Sequence, residues 1–299
     1  MYEVLRQFIP SQRISTNESM AKHNTFRVGG AAEVYVSPAT LEELVCAVTE
    51  CRAHNTPFVI LGHGSNVLVS DKGLRGVVIQ LYPHFCHVLV EETNLYAQAG
   101  ALLSATATKA CNSGLAGMEF ASGIPGTVGG AVCMNAGAYG PEIKDICETV
   151  TLLMPDNTIT IVPARNMDFG YRHSIVQESG AIVVSATFAL LPGDPEAIRA
   201  ETDELNARRR ISQPLEFPSA GSTFKRPEGH YAGKLIEDCG LKGFSIGGAQ
   251  VSEKHAGFVI NTGNATAEDI HTLIAHIQKT VFEQFGVKLE PEVKILCNS

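Results

Sequence analysis

Eight of the chain's 28 glycines fall within the 27 residues 114–140, GLAGMEFASGIPGTVGGAVCMNAGAYG. The same stretch holds Pro125, Asn135 and a single charge, Glu119. Glycine loses more backbone freedom on folding than any other residue, so a packed core does not accumulate it for stability. It is used where the chain must turn through φ > 0 or where backbone must lie close to another group. Several N–H groups turned into one concavity form an anion nest. A buried run of close-packed turns would also explain such a stretch. Its length, its lack of charge and a second glycine loop at 62–66 favour a cofactor cradle.

The 299 residues, 44% of them hydrophobic, allow one large domain or two to three ordinary ones with real cores. Lys and Arg number 23 against 31 Asp and Glu, a formal charge of −8, with no basic run beyond Arg208-Arg209-Arg210. A nucleic-acid binder would need a basic face, so none is expected, while a small anionic ligand needs only a few local donors. The opening MYEVLRQFIPSQR has no apolar core of a secretory signal, and no apolar run is long enough to span a membrane. The eight cysteines show neither CxxC nor Cys/His metal spacing. They read as reduced, mostly buried residues of a cytoplasmic protein without a structural metal.

Along the chain, residues 1–22 are weakly periodic and suggest a short leading helix. Residues 32–36 alternate like a strand. Thr40-Leu41-Glu42-Glu43 has the pattern of a capping box, and the apolar spacing behind it predicts a helix ending near His54-Asn55. Strands follow at 58–61, 67–69 and 77–81. A second unit begins near His87, with strands at 88–90 and 95–99 and a helix over 102–112. Pro155-Asp156-Asn157 marks a hairpin between 149–154 and 158–162, and 181–190 is a long β-type run. Pro192-Gly193-Asp194-Pro195 is the clearest boundary, and a charged helix follows over 196–210. Ile270, Leu273, Ile274, Ile277, Val281 and Phe285 share a helical face, and 287–296 alternates like a closing strand with Glu290, Glu292 and Lys294 on one side.

Three loops offer chemistry. Gly62-His63-Gly64-Ser65-Asn66 lies between strands and has N–H groups and a hydroxyl suited to a diphosphate. It lacks the P-loop pattern and opens no helix, so it equally fits an ordinary turn, with His63 a plain loop residue. In Tyr171-Arg172-His173-Ser174, Arg172 has the bidentate fork for a carboxylate, or for a structural ion pair. The polar loop 218–227, PSAGSTFKRP, gathers hydroxyls and two cations, as a surface loop also can.

Together these pieces resemble the bacterial UDP-N-acetylenolpyruvoylglucosamine reductases. The resemblance runs from Asn24-Thr25-Phe26 to Glu290-Pro291-Glu292-Val293-Lys294. Its carriers are LGHGSNVLVSDKGLRG at 61–76, the glycine stretch at 114–140 and MDFGYRHS at 167–174. They continue with PSAGSTFKRP at 218–227, AGKLIEDCGLKG at 232–243 and VSEKHAGFVIN at 251–261. Each is modest alone; six in order make the identification strong.

The resemblance implies an α+β fold: a two-part FAD-binding domain of the vanillyl-alcohol-oxidase type, 1–82 and 83–194, and a C-terminal substrate-binding domain, 195–299. The short link from Arg172 to the 181–190 run resembles the second subtype, which lacks the segment carrying a substrate-covering tyrosine. The implied reaction uses FAD, with NADPH as reductant, to reduce the enolpyruvyl group of UDP-N-acetylglucosamine enolpyruvate in peptidoglycan precursor synthesis. Arg172 matches the residue that binds and polarises the substrate carboxylate, Ser222 the proton donor, and Glu292 the carboxyl that stabilises the enolic intermediate. Negative charge developing on such an enolate calls for fixed positive or hydrogen-bonding groups.

The same resemblance carries FAD to Gly62, Gly64, Ser65 and Asn66, and to Ser122, Gly123, Gly126, Thr127 and Gly129, with Asn135 and Ala136 near the isoalloxazine. Lys225 and Arg226, and more weakly Lys254 and His255, are candidates for the UDP diphosphate or the carboxylate. No metal is expected, no membrane insertion, and a monomer or weak dimer. Two other readings compete: a flavin oxidoreductase with another substrate, and a non-catalytic binder of flavin or nucleotide sugar. Arg172, Ser222 and Glu292 together count against the binder, which would need no proton donor.

Overall fold

The computed structural model describes residues 1–298. They divide into two compact units. The first comprises 1–16, 34–63 and 76–209, and the second 17–33, 64–75 and 210–299. This grouping departs from the linear three-part division expected from the sequence. The two FAD-binding parts fall in one unit, its end lies at Arg209 rather than residue 194, and two early segments belong with the C-terminal residues.

The first unit joins two sheets through one continuous core. A four-stranded sheet has the order Ile14–Ser19, Ala31–Val36, Leu74–Gln80, Phe58–Leu61, the last two parallel. The helix Leu41–Ala53 buries Leu44, Ala47, Val48 and Cys51 against Val34, Val36, Val77 and Ile79. Thr40 caps this helix by accepting from Glu43 N, but the reciprocal half of the expected box is absent. The Glu43 carboxylate instead accepts from Ala39 N at 2.7 Å and takes both terminal nitrogens of Arg13, at 2.5 and 2.6 Å.

The five-stranded sheet is antiparallel, ordered Ile159–Pro163, Cys147–Leu153, Ile182–Ala189, Asn94–Gln98, Val88–Glu91. The 155–157 turn makes the hairpin its sequence announces. Helices Leu103–Asn112 and Val128–Cys133 contribute Leu103, Ala107, Val128 and Val132 to the same core as the central strand. The strand Ile14–Ser19 was not foreseen, because its burial pattern lacks alternation beyond its first residue.

In the second unit, Ser245–Ile246, Ala249–Val251 and Val259–Asn261 form an antiparallel sheet, packed with helices Ala232–Asp238 and Ala267–Phe285. Phe26, Leu68 and Phe224 reach its core from three distant stretches of sequence. Five of the six residues assigned to the inner face of the long helix are buried; Phe285, beside the Gly286 cap, is 39% exposed. The expected 287–296 strand shrinks to Lys294–Leu296, which pairs in parallel with Val67–Val69. Leu289 and Val293 still point inward, but Ile295 is 43% exposed, so the alternation fails where the short strand begins. All eight cysteines are free, and burial pushes the Cys51 thiol up to about 11 and Cys147 up to about 12.

Candidate active site

In the first unit the glycine stretch is pinned by its backbone. Gly126 O accepts from Leu103 N, Val128 N donates to Ala101 O, and Gly129 N donates to Ala99 O at 2.9 Å. The last contact is close enough that a Cβ on residue 129 would stand 2.8 Å from the Ala99 Cβ. Gly62 packs just as closely: a Cβ there would lie 2.2 Å from Thr127 Oγ1. The two glycine loops, 65 residues apart in sequence, therefore meet at Gly62 and Thr127. Ser122 Oγ donates to Glu119 O at 2.8 Å, and so belongs to the turn itself.

Asn135 is fully buried at φ +41. Its amide donates to Glu142 Oε2 at 3.0 Å and to Gly170 O at 2.9 Å, and its oxygen accepts from Lys144 N at 2.9 Å. Ala136 N donates to Ala131 O, and its carbonyl accepts from Ile143 N. Both residues shape the stretch from within, their polar atoms already engaged by protein.

The 170–173 turn closes on itself by Gly170–His173 backbone bonds in both directions. It is riveted to the C-terminal end of the short helix Val128–Cys133 by Ser174 Oγ and Gln177 Nε2, both donating to Cys133 O. Arg172, at φ +55, lies over the Tyr171 ring at 5.0 Å and donates to Gly137 O at 3.3 Å. The turn thus holds this guanidinium at the far end of the glycine stretch.

In the second unit, Gly64 takes φ +69, and a Cβ there would stand 2.2 Å from His23 O, so only glycine fits. Ser65 follows it, half-buried. Asn66 Nδ2 donates to Glu292 O at 3.2 Å, and Asn66 O accepts from Lys294 N at 3.0 Å. Glu292 N in turn donates to Thr223 O at 2.8 Å, and Lys225 N to Glu290 O. Ser222 and Glu292, distant in sequence, are therefore carried on adjoining backbone segments that also hold the 64–66 loop. Ser222 is exposed, its Oγ donating to Phe224 O at 3.2 Å.

The four cation candidates differ. Lys225 pairs with Glu290, and Arg226 lies 4.0 Å over the Tyr231 ring and donates to His230 O. Lys254 Nζ donates to Arg210 O at 2.7 Å. His255 Nδ1 accepts from Gly257 N at 3.1 Å with its ring edge-on to Phe258, and burial holds its pKa below the usual imidazole value. The last two have the partners of a packed loop. Among the described residues no cluster of His, Cys, Asp or Glu has the makings of a metal site.

Three side chains stand out to which the sequence motifs give no role, His63 having read as a plain loop residue. His63 Nδ1 is buried without a hydrogen-bond partner, its ring edge-on to Tyr82 at 5.1 Å, and burial lowers its pKa. A buried nitrogen without a partner, next to Gly62, fits a hydrogen-bonding ligand such as FAD in the cradle. Asn206 and Arg209, on the helix Pro195–Ser212, pack over Gly123. Only their i, i+3 spacing could have put them on one face from sequence.

A family model described as the FAD binding domain matches residues 32–162, and one described as the UDP-N-acetylenolpyruvoylglucosamine reductase C-terminal domain matches 213–296. The chain is 52% identical over 296 residues to the UDP-N-acetylenolpyruvoylglucosamine reductase of Caldanaerobacter subterraneus subsp. tengcongensis, covering 99% of this chain and 98% of that protein. With the enzyme of the same name from Agathobacter rectalis it shares 50% over 300 residues, 96% of this chain and 95% of the other. The solved UDP-N-acetylenolpyruvylglucosamine reductase of Thermus caldophilus superposes with a TM-score of 0.81 at 34% identity, over 95% of this chain and 98% of that one.

Proposed function

The chain belongs to the UDP-N-acetylenolpyruvoylglucosamine reductase family, and on that premise we propose how its own residues perform the reaction. It is an FAD-dependent oxidoreductase that reduces the enolpyruvyl group of UDP-N-acetylglucosamine enolpyruvate to give UDP-N-acetylmuramate, with NADPH as reductant. FAD, when bound, supplies the two-electron chemistry that links NADPH to the enolpyruvyl double bond. We assign it chiefly to the 1–82 and 83–194 parts and the UDP sugar chiefly to 195–299, in keeping with the two family matches at 32–162 and 213–296.

Within the cradle, Gly62, Gly64, Ser65 and Asn66 and the 122–129 turn hold the diphosphate mainly by backbone N–H groups. Asn135 and Ala136 act on the ring system by fixing the backbone around them. Arg172 grips the substrate carboxylate through its fork, so negative charge spreading onto that group meets a fixed cation. Ser222 Oγ delivers the proton to the remaining carbon of the former double bond. A hydroxyl is a weak acid and succeeds here only against a strongly basic carbon and from a fixed position. Glu292 supplies that carbon's environment with a carboxyl that shares the developing charge.

The observation carrying this reading is the 2.8 Å bond from Glu292 N to Thr223 O, which joins the backbone segments that carry Ser222 and Glu292. Lys225 and Arg226 are the candidates for the UDP diphosphate, with Lys254 and His255 as supports of the loop beside them. The working form is a cytoplasmic monomer or weak dimer, which sedimentation checks.

An anaerobic visible spectrum tests the whole. Yellow colour bleached by NADPH and restored by UDP-N-acetylglucosamine enolpyruvate is the expected result. Bleaching without restoration removes the substrate, and a colourless protein that takes up no FAD removes the flavin reading.

A further inference from the structure

Arg209 is an uncompensated cation in the first unit. Its Nε is shielded from solvent and has no hydrogen-bond partner, and no carboxylate lies within ion-pair reach of its guanidinium among the described residues. Its neighbour Arg208 is served instead: Glu204, one turn back on the same helix, pairs with Arg208. The place Arg209 occupies is cut into the glycine stretch. A Cβ on Gly123 would stand 2.9 Å from Arg209 Cδ and 2.7 Å from Asn206 Oδ1, so the missing side chain makes the room. One turn earlier, Leu205 O accepts from the Tyr139 hydroxyl at 3.3 Å, which ties the helix to the other end of that stretch.

A guanidinium withdrawn from water with nothing to compensate it is costly unless an anion completes it. The chain has 31 carboxylates, and Arg13 in the same unit takes one of them in a bidentate pair with Glu43. We propose that Arg209 is an anion-binding residue of the cofactor cradle, with a phosphate oxygen of the FAD diphosphate as its partner. FAD is favoured over the UDP sugar because Gly123, against which Arg209 packs, and Tyr139, which bonds the same helix at Leu205, lie inside the 32–162 match to the FAD binding domain. Arg209 itself lies outside that match and outside the 213–296 match, in the helix between them. Burial lowers the guanidinium's pKa, as a desolvated cation without a partner requires, yet an arginine stays charged at neutral pH.

The inference rests on the FAD reading, and the test separates the two. Full-length protein stripped of flavin is titrated with FAD by fluorescence quenching, for the wild type, Arg209→Met, Arg209→Lys and Arg208→Met. Loss of one charge-assisted phosphate contact weakens FAD by about ten- to a hundredfold in Arg209→Met. Arg209→Lys recovers part of this, and Arg208→Met leaves the constant within about twofold. The flavin-free Arg209→Met chain melts no lower than flavin-free wild type, because an unpaired buried charge has been removed, while its rise in Tm on adding FAD shrinks.

An unchanged FAD constant overturns the proposal. It does so too if binding of the UDP sugar weakens instead, which would move the cation to that diphosphate. A flavin-free variant that melts well below wild type with the FAD constant intact assigns Arg209 to packing and also overturns it. Wild type that binds no FAD at all defeats the underlying reading rather than this residue.

Discussion

A methyl group added at Gly62 would collide with Thr127 Oγ1 at 2.2 Å, inside a contact that joins two glycine loops. Thr127 is almost fully buried and cannot swing away without opening the turn. Gly62→Ala is therefore expected to lose about 1–3 kcal/mol, as overpacked cores do, and to be purified with less flavin. Thermal melts and the flavin-to-protein absorbance ratio measure both. Ser222 is different in kind: it is exposed and bonded only to the nearby Phe224 O, so little packing depends on its hydroxyl. Ser222→Ala should be reduced by NADPH as fast as wild type and lose about 10²–10⁴-fold in turnover. Rapid-mixing spectra separate the two half-reactions, and unchanged turnover would remove the serine from its role. Ser222, Glu292 and Arg172 were open to proposal from the sequence because each sits in a motif of the family. Arg209 and His63 were not, because what singles them out is a missing partner in space.

The longest helix of the second unit shows how one element is held from elsewhere in the sequence. Ala267–Phe285 begins with a reciprocal capping box between Thr266 and Asp269, both bonds at 3.0 Å. Asp71 then accepts from Ala267 N and Glu268 N, each at 2.9 Å, satisfying two donors that a helix start leaves open. Asp71→Ala should cost about 1–2 kcal/mol in denaturant melts, while Asp71→Asn, which keeps one acceptor, costs less. Neither the box nor Asp71 is among the features expected from the sequence, and for Asp71 no local pattern reports a cap supplied from 196 residues away.

The Leu41–Ala53 helix carries the pH-sensitive contact. The hydrogen-bonded Arg13 guanidinium holds the Glu43 carboxyl below its usual 4.5. A carboxylate with a depressed folded pKa stabilises the protein above its unfolded pKa, and that stability is lost as pH falls through the folded value. Glu43→Gln should thus be less stable than wild type by about 1–2 kcal/mol at pH 7, allowing for partial solvent screening. The gap should narrow below about pH 4.5. Melting curves of both proteins from pH 7 to 3 provide the check.

At the scale of the molecule, the second unit is assembled from 17–33, 64–75 and 210–299, and its core includes Phe26, Val28 and Leu68. A chain restricted to 210–299 lacks those side chains, the strand Val67–Val69 and the Asp71 cap. Expressed alone it should show neither the far-UV signal nor the cooperative melt of a folded α+β unit; a sharp transition would refute this. The class of fold was implied by the family resemblance, with the local strand and helix patterns in keeping with it. Its partition was not, because linear punctuation such as Pro192-Gly193-Asp194-Pro195 marks where an element ends, and says nothing of which earlier segments return to pack with later ones.

The parallel pairing of Val67–Val69 with Lys294–Leu296 also has a meaning in time. At about 5–20 residues per second, the ribosome needs roughly 10–45 s to travel from the first strand to the second. During that interval the earlier strand exists with its partner not yet made, and the nascent polypeptide must keep that edge from pairing with anything else. A message broken before its 3′ end therefore yields a product whose second unit cannot close, which leaves it open to proteolytic clearance.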